Sequence, residues 1–144
     1  METYKKFKVF LVDDDVFYLN MLEQLVVNTG VTDITTFQNG LDCIEQLNEK
    51  PNVIFLDHNM DVINGLDVLI KIKRVDPNVF VVMLSAQEDL KTAVDSLKYG
   101  VFDYLVKGDN EALKVQNVLS RMGSIVDEMK LKNPSLIQKI FSFL

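Results

Sequence analysis

The chain has 144 residues, of which 48% are hydrophobic and 25% charged, and this length and balance predict one folded domain with a single core. Its net charge of −6 argues against nucleic-acid binding, which depends on clustered lysine and arginine residues. The single cysteine, Cys43, excludes an intramolecular disulfide, and no apolar stretch has the length of a membrane span, so we expect a cytoplasmic protein that binds neither nucleic acid nor membrane.

Five short apolar runs, rich in β-branched and aromatic residues, predict β-strands. In chain order they occupy residues 9–12, 34–37, 53–56, 79–84 and 104–106. Between them, apolar residues recur at spacings of three and four, which predicts helices that end by Gly30, Pro51, Pro77 and Gly100. Such alternation indicates an α/β protein. We expect a flavodoxin-like three-layer sandwich, with helices on both faces of a five-stranded parallel sheet of order 2-1-3-4-5 and the Thr-rich second strand at an edge.

Polar side chains follow four of these five strands. In chain order they are Asp13, Asp14 and Asp15 after the first strand, Asp57 at the third, Ser85 at the fourth and Lys107 at the fifth. In parallel sheets, functional groups gather at the carboxyl ends of the strands, where the strand order reverses. We therefore expect the acidic residues of the first and third strands to converge in one crevice.

Such crowding of carboxylates is unfavourable unless a cation offsets it. Two carboxylates ~5 Å apart repel by roughly 3 kcal/mol at an effective dielectric constant near 20. Oxygen ligands favour a hard divalent ion, Mg²⁺ or Mn²⁺, over zinc. Lys107 and Ser85 are not ligands for such an ion, but both can donate to a second anion beside it, such as a phosphoryl group.

From Lys6 to Arg121 the chain resembles the receiver domain of bacterial response regulators, the phosphoacceptors of two-component signalling. Four motifs carry the resemblance, in family order and spacing, each near a predicted strand end. They are LVDDD at 11–15, VIFLDHNM at 53–60 with NG at 64–65, LSA at 84–86, and DYLVK at 103–107.

The resemblance implies a phosphorylation site and a metal site. Asp57 would be the nucleophile that a histidine kinase or phosphotransfer protein phosphorylates. Asp14 would bind Mg²⁺ directly, with Asp13 nearby, and Asn59 would offer its backbone carbonyl. Asp15 has no role in this scheme, and we expect it to cap the first helix.

The resemblance also implies a switch. Ser85 would hydrogen-bond the acyl phosphate, Lys107 would pair with Asp57 or its phosphoryl oxygens, and the rotamer of Tyr104 would report the state. Phosphorylation would then shift a pre-existing equilibrium on a face formed by the fourth helix, fifth strand and fifth helix. The downstream partner stays open.

Four positions depart from the family pattern. Asp61 and Gly108 stand where the family usually has proline, Ser85 replaces the common Thr, and Val101 replaces a smaller Ala. The family bond after the lysine is typically cis, and a cis bond without proline costs ~2.5–4 kcal/mol. We therefore predict a trans Lys107–Gly108 bond.

Two further residues, His58 and Cys43, are weaker candidates for functional residues. His58, the one histidine, follows Asp57, but a single histidine without a partner is more typical of a loop residue than of a phosphate carrier or metal ligand. Cys43 lies on a predicted helix and is interpreted as a packing residue.

Other functions compete with the signalling switch. A phosphoaspartate hydrolase needs a second acid–base Asp two residues after the nucleophile, where this chain has Asn59. We therefore expect no enzyme beyond self-catalysed phosphorylation and dephosphorylation. A degenerate receiver that binds partners independently of phosphorylation would lack some site residues, and this chain keeps all of them. Too few residues follow the receiver region for a helix-turn-helix output domain, so we expect a stand-alone receiver, with a fragment of a longer regulator as the alternative.

Apolar residues at spacings of three and four predict one long helix over about 110–131. At 1.5 Å per residue it would be ~33 Å long, whereas the strands are ~17–20 Å. We expect it to outrun the sheet and leave Ile125, Val126 and Met129 with no sheet to cover them.

The chain then predicts a second, shorter helix. Asn133 and Pro134 are a helix cap and a favourable first residue, and an apolar face follows over 134–144. We expect this segment to fold back on the long helix or to pair with a second copy of the chain as a homodimer, the alternative being a frayed tail. The domains would be a receiver at 1–121 and an extension at 122–144.

Overall fold

The computed structural model describes residues 2–87 and 89–135. Within them five strands alternate with five helices, and 3-10 helices lie at Thr3–Lys6 and Leu47–Glu49. The strands are β1 Lys8–Val12, β2 Asp33–Phe37, β3 Val53–Asp57, β4 Phe80–Ser85 and β5 Asp103–Val106. The helices are α1 Val16–Asn28, α2 Gly40–Glu45, α3 Gly65–Val75, α4 Leu90–Lys98 and α5 Glu111–Lys132.

The sheet has the predicted topology. Every strand pair is parallel and the order is β2-β1-β3-β4-β5, so the three-layer α/β sandwich is confirmed. The Thr-rich strand β2 lies at an edge, as expected. Val12 is paired with Leu56, and Ser85 with Val106, which brings the carboxyl ends of the strands to one edge of the sheet.

Strand β3 shows why both faces of the sheet are covered. Its residues Val53 and Phe55 pack in a cluster with side chains of α1 and α5, whereas Ile54 and Leu56 pack in a second cluster with those of α2 and α3. All four are fully buried. The first four residues of this central parallel strand are therefore apolar, and its one polar side chain, Asp57, comes at its end.

Polar residues mark the starts of four helices. The side chains of Asp15, Asn39, Asn64 and Asp89 accept hydrogen bonds from backbone N–H groups in the first turns of α1, α2, α3 and α4. These bonds satisfy donors that have no partner within the helix. The expected cap at Asp15 is confirmed, and the start of each of these four helices is stabilised by a local side chain.

The second predicted helix is shorter than expected. Helix α2 ends at Glu45, and the following 3-10 turn, Leu47–Glu49, leads to Lys50, which has φ +57°. A tighter turn at a helix end satisfies carbonyl groups that an α-helix would leave free. It also keeps Leu47 buried.

The long helix α5 is confirmed, and Val126, for which we expected no cover from the sheet, is buried beside another segment of the chain. The N-terminal 3-10 helix, Thr3–Lys6, packs on α5, and its Tyr4 shares a buried cluster with Val126. The Tyr4 hydroxyl accepts a hydrogen bond from Gln116. Ile125 stays partly exposed. The terminal helix predicted over 134–144 lies outside the described residues, apart from its first two positions.

None of the helices in the described ranges combines the length and the apolar character that a membrane span needs.

Candidate functional site

Three carboxylates converge where the strand order reverses. Asp13 follows β1 and Asp57 ends β3, and both are buried, whereas Asp14 is exposed. One oxygen from each of these three residues lies within 4.8 Å of the other two. Because β1 and β3 are neighbours, the expected convergence of the acidic residues is observed.

Lys107 lies between the two buried carboxylates. Its Nζ is 2.8 Å from Asp13 Oδ2 and 3.1 Å from Asp57 Oδ1. Burial by itself would lower the pKa of Lys107, but its hydrogen bond with Asp13 and the charges of both aspartates raise that pKa above its usual value. The lysine is therefore a fixed positive charge beside Asp57.

The environment of Asp57 disfavours its charged form. Burial, and then the charge of Asp13, raise its pKa to about 6, although Lys107 and the backbone N–H of Asn59 act in the opposite direction. One nearby cation thus does not offset two buried carboxylates. A further cation would relieve the remaining repulsion.

The oxygen-rich cluster has the donor set that Mg²⁺ or Mn²⁺ prefers. Asn59, the other expected ligand, lies two residues beyond β3, and its side-chain Oδ1 is 3.0 Å from His58 Nδ1. Asn59 is therefore adjacent to Asp57 through its backbone, while its side chain faces the histidine. This contact agrees with the interpretation of His58 as a loop residue.

The three consecutive aspartates differ in their contacts. Asp13 Oδ1 accepts a hydrogen bond from the Asp15 backbone N–H, while its Oδ2 contacts Lys107. Asp15 Oδ1 accepts from the N–H groups of Phe17 and Tyr18. The run thus combines two site carboxylates with one helix cap.

The two predicted switch residues share an acceptor. The Ser85 hydroxyl donates to the Gln87 carbonyl at 2.8 Å, and the Tyr104 hydroxyl donates to the same oxygen at 3.3 Å. Ser85 is buried, and Tyr104 packs beside the second core cluster. In this structure the Ser85 hydroxyl is therefore bonded within its own loop.

The backbone after Lys107 departs from the pattern that the resemblance implies. Every peptide bond among the described residues is trans, so the predicted trans Lys107–Gly108 bond is confirmed. Gly108 has φ +130°, which other L-residues rarely adopt. Its N–H donates to Glu111 Oε1 at 2.8 Å.

Sequence reasoning missed two residues of the site. The Lys107 ammonium lies 4.0 Å from the centroid of the Tyr18 ring, and the Tyr18 hydroxyl donates to Glu111 Oε2 at 2.5 Å. The signal available was weak: Tyr18 lies one helical turn after the cap Asp15, and Glu111 lies in the first turn of α5. Their meeting depends on α1 and α5 packing together.

Cys43 is fully buried in the second core cluster, and burial raises the pKa of its thiol to about 12. Its interpretation as a packing residue is thereby supported.

Comparisons with known proteins point to one family. The model described as "Response regulator receiver domain" matches residues 9–118. The chemotaxis protein CheY of Listeria monocytogenes is 33% identical over 101 residues, which are 69% of this chain and 85% of that protein. The transcriptional regulator NtrC of Escherichia coli is 39% identical over 100 residues, but the chain spans only 21% of its length.

A solved structure agrees in sequence and in fold. It is titled as the CheX-CheY-BeF3-Mg+2 complex from Borrelia burgdorferi. The match has a TM-score of 0.74 and 29% identity, and covers 80% of this chain and 88% of that one.

Proposed function

We propose that this chain, which belongs to the response regulator receiver domain family, accepts a phosphoryl group on Asp57 and thereby switches a partner-binding surface. The observation that carries the proposal is the position of Asp57, with Lys107 at 3.1 Å and the carboxylates of Asp13 and Asp14 close by. A structural ion pair alone would not need a third carboxylate, Asp14, beside the two that contact Lys107.

The transfer step uses Asp57 as a nucleophile. One of its carboxylate oxygens attacks the phosphorus of the donor, and the bond from phosphorus to the donor's leaving atom breaks with its electron pair. Lys107 attracts the charge of the phosphoryl oxygens as they approach. Attack by water on the acyl phosphate later releases inorganic phosphate and restores the Asp57 carboxylate.

A bound divalent cation would complete the charge balance of the site. Asp13, Asp14, Asp57 and the Asn59 backbone carbonyl are the groups that would hold it. When bound, Mg²⁺ offsets the negative charge that the aspartates and the phosphoryl group bring together. The fit rests on the clustered carboxylate oxygens and on the burial-raised pKa of Asp57.

The switch would act through Ser85 and Tyr104. If the Ser85 hydroxyl turns to a phosphoryl oxygen, the Gln87 carbonyl loses one of its two side-chain donors, which changes the environment of Tyr104. The neighbouring helix α4 has exposed apolar residues that a partner could cover. They are Leu90, Val94 and Leu97.

A histidine kinase or phosphotransfer protein is the proposed phosphodonor, and the receiver is proposed to act as a phosphoacceptor and not as an enzyme on other substrates. Asn59 cannot supply the proton transfer that a hydrolase would need. The relatives include a short chemotaxis protein and a much longer transcriptional regulator, so the stand-alone arrangement stays a prediction.

The test is labelling by acetyl phosphate with Mg²⁺, followed by mass spectrometry. We expect a mass increase of one phosphoryl group in the wild type and none in Asp57→Asn. The matched control is Asp15→Asn, because asparagine also caps helices and the Asp15 side chain lies outside the site. Full labelling of Asp57→Asn would refute the assignment.

A further inference from the structure

Two residues outside the strand ends surround the Lys107–Gly108 turn. Tyr18 of α1 places its ring 4.0 Å from the Lys107 ammonium. Glu111, the first residue of α5, accepts from the Tyr18 hydroxyl with one carboxylate oxygen and from the Gly108 N–H with the other. The ring and the carboxylate thus join α1, α5 and the turn after β5.

The Tyr18 ring is a third group beside the Lys107 ammonium, together with the two aspartates. Asp13 and Asp57 contact Lys107 Nζ at 2.8 and 3.1 Å, and the Tyr18 ring lies within the distance at which a cation is attracted to an aromatic face. The side chain of Lys107 is largely buried, which strengthens this attraction. The ring therefore adds an attraction that favours the present position of the ammonium beside Asp57.

The carboxylate of Glu111 restrains the backbone. A glycine turn has wide conformational freedom, and Gly108 has a φ of +130° with nothing within 4 Å of the position of a Cβ atom. Its N–H, which a proline would lack, is bound to Glu111 at 2.8 Å. The hydrogen bond limits the freedom that glycine brings to the residue next to Lys107.

We propose that Tyr18 and Glu111 are positioning residues, which together hold Lys107 beside Asp57. The proposal rests on the proposed function, because the placement of Lys107 matters for phosphorylation only if Asp57 is the phosphoacceptor. In this proposal Tyr18 acts on the Lys107 ammonium, and Glu111 acts on Lys107 through Tyr18 and the backbone of Gly108.

A purely structural role would differ in one respect. If Tyr18 and Glu111 only joined α1 to α5, their removal would slow labelling equally whether or not Lys107 is present. If they position the ammonium, their removal should have little effect once the ammonium is gone. A double-mutant cycle separates these two roles.

The experiment compares wild type, Tyr18→Leu, Lys107→Ala and the double variant in acetyl phosphate labelling. We expect Tyr18→Leu to slow labelling roughly threefold to thirtyfold, the range of a partly buried cation–π contact. In the Lys107→Ala background the same change should slow labelling less than about twofold. Glu111→Gln, which loses one of two acceptor oxygens, should show the same dependence on Lys107.

Two control variants test for nonspecific loosening of α5. Tyr4→Phe removes another tyrosine hydroxyl that contacts α5, through Gln116, and Glu128→Gln removes another acidic charge from α5. Both should label at the wild-type rate. Equal slowing by Tyr18→Leu in both Lys107 backgrounds would overturn the positioning role.

A second readout is independent of phosphorylation. The same four proteins are unfolded in urea to measure their free energies of unfolding. If ring and ammonium interact, the effects of the two substitutions should be non-additive, by an amount that corresponds to roughly threefold or more in the unfolding constant. Additive effects on the free energy of unfolding would also overturn the proposal. Failure of the wild type to label at all would instead refute the proposed function, and the urea cycle would still decide whether Tyr18 holds Lys107.

Discussion

The Ser85 and Tyr104 hydroxyls donate to one acceptor, the Gln87 carbonyl oxygen, at 2.8 and 3.3 Å. Ser85 ends β4 beside the acidic site, and Tyr104 lies in β5 at the edge of the sheet. We propose that this shared oxygen connects the site to the proposed partner-binding face. It makes the switch testable without a known partner.

We expect beryllofluoride with Mg²⁺, a stable substitute for the phosphoryl group, to shift the NMR signals of the Tyr104 ring. In Ser85→Ala the shift should be reduced at least by half, because alanine has no hydroxyl that could move from the Gln87 carbonyl to the beryllofluoride. Tyr4, on the N-terminal 3-10 helix, is the internal control and should not shift. An unchanged Tyr104 response in Ser85→Ala would show that the serine does not transmit the signal.

Mg²⁺ should stabilise the fold by relieving carboxylate repulsion. Binding at about 100 times Kd corresponds to about 2.7 kcal/mol of stabilisation, which is measurable as a rise in Tm. Asp14→Ala should lose most of this rise, whereas Asp33→Ala, an exposed acid on the edge strand, should keep it. A Tm that does not change in millimolar Mg²⁺ would refute the proposed metal site.

The pKa of Asp57 predicts the pH dependence of the metal-free protein. Burial and Asp13 raise this pKa from 3.8 to about 6, so between these values the folded protein binds more protons than the unfolded chain. The contribution of Asp57 to the free energy of unfolding should therefore decrease as pH rises from 4 to 6. Asp57→Asn should remove that part of the pH dependence, measured as the free energy of unfolding in urea between pH 4 and pH 6. The same pH dependence in both proteins would contradict the raised pKa of Asp57.

Proton competition should also weaken Mg²⁺ binding in acid. Below about pH 6 the ion must displace a proton from Asp57, so its affinity should fall by up to about tenfold per pH unit. Calorimetric titrations with Mg²⁺ at pH 5 and pH 7 measure this difference. Equal affinities at the two values would mean that Asp57 is not a ligand.

Deletion of residues 134–144 tests the predicted terminal helix and the predicted homodimer. Leu131 and Ile125 are exposed on α5, so a terminal helix or a second copy of the chain would have apolar surface to bury there. We expect a lower Tm or a changed mass by light scattering. If both stay as in the full chain, the segment covers nothing and joins no second copy.

The sequence by itself determined the topology and most of the site. Strand and helix periodicities are local, and the carboxyl ends of parallel strands meet at one edge, so the positions of Asp13, Asp57, Ser85 and Lys107 along the chain assign them to one region of the molecule. The loss of proline at Gly108 also predicted the trans bond. The positions at the strand ends follow from the chain order and the geometry of a parallel sheet, whereas the comparison at Gly108 and the roles of the site residues depended on the resemblance to receiver domains.

Tertiary structure alone decided what surrounds those residues. Tyr18 and Glu111 are 93 residues apart and meet because α1 and α5 pack on the same face of the sheet. Val126 is buried because the N-terminal segment with Tyr4 returns across α5. The raised pKa of Asp57 likewise depends on burial and on Asp13 from another strand. Contacts between distant segments depend on how the helices pack. Local periodicity predicts the apolar face of a helix, but not which side chains of another helix that face meets.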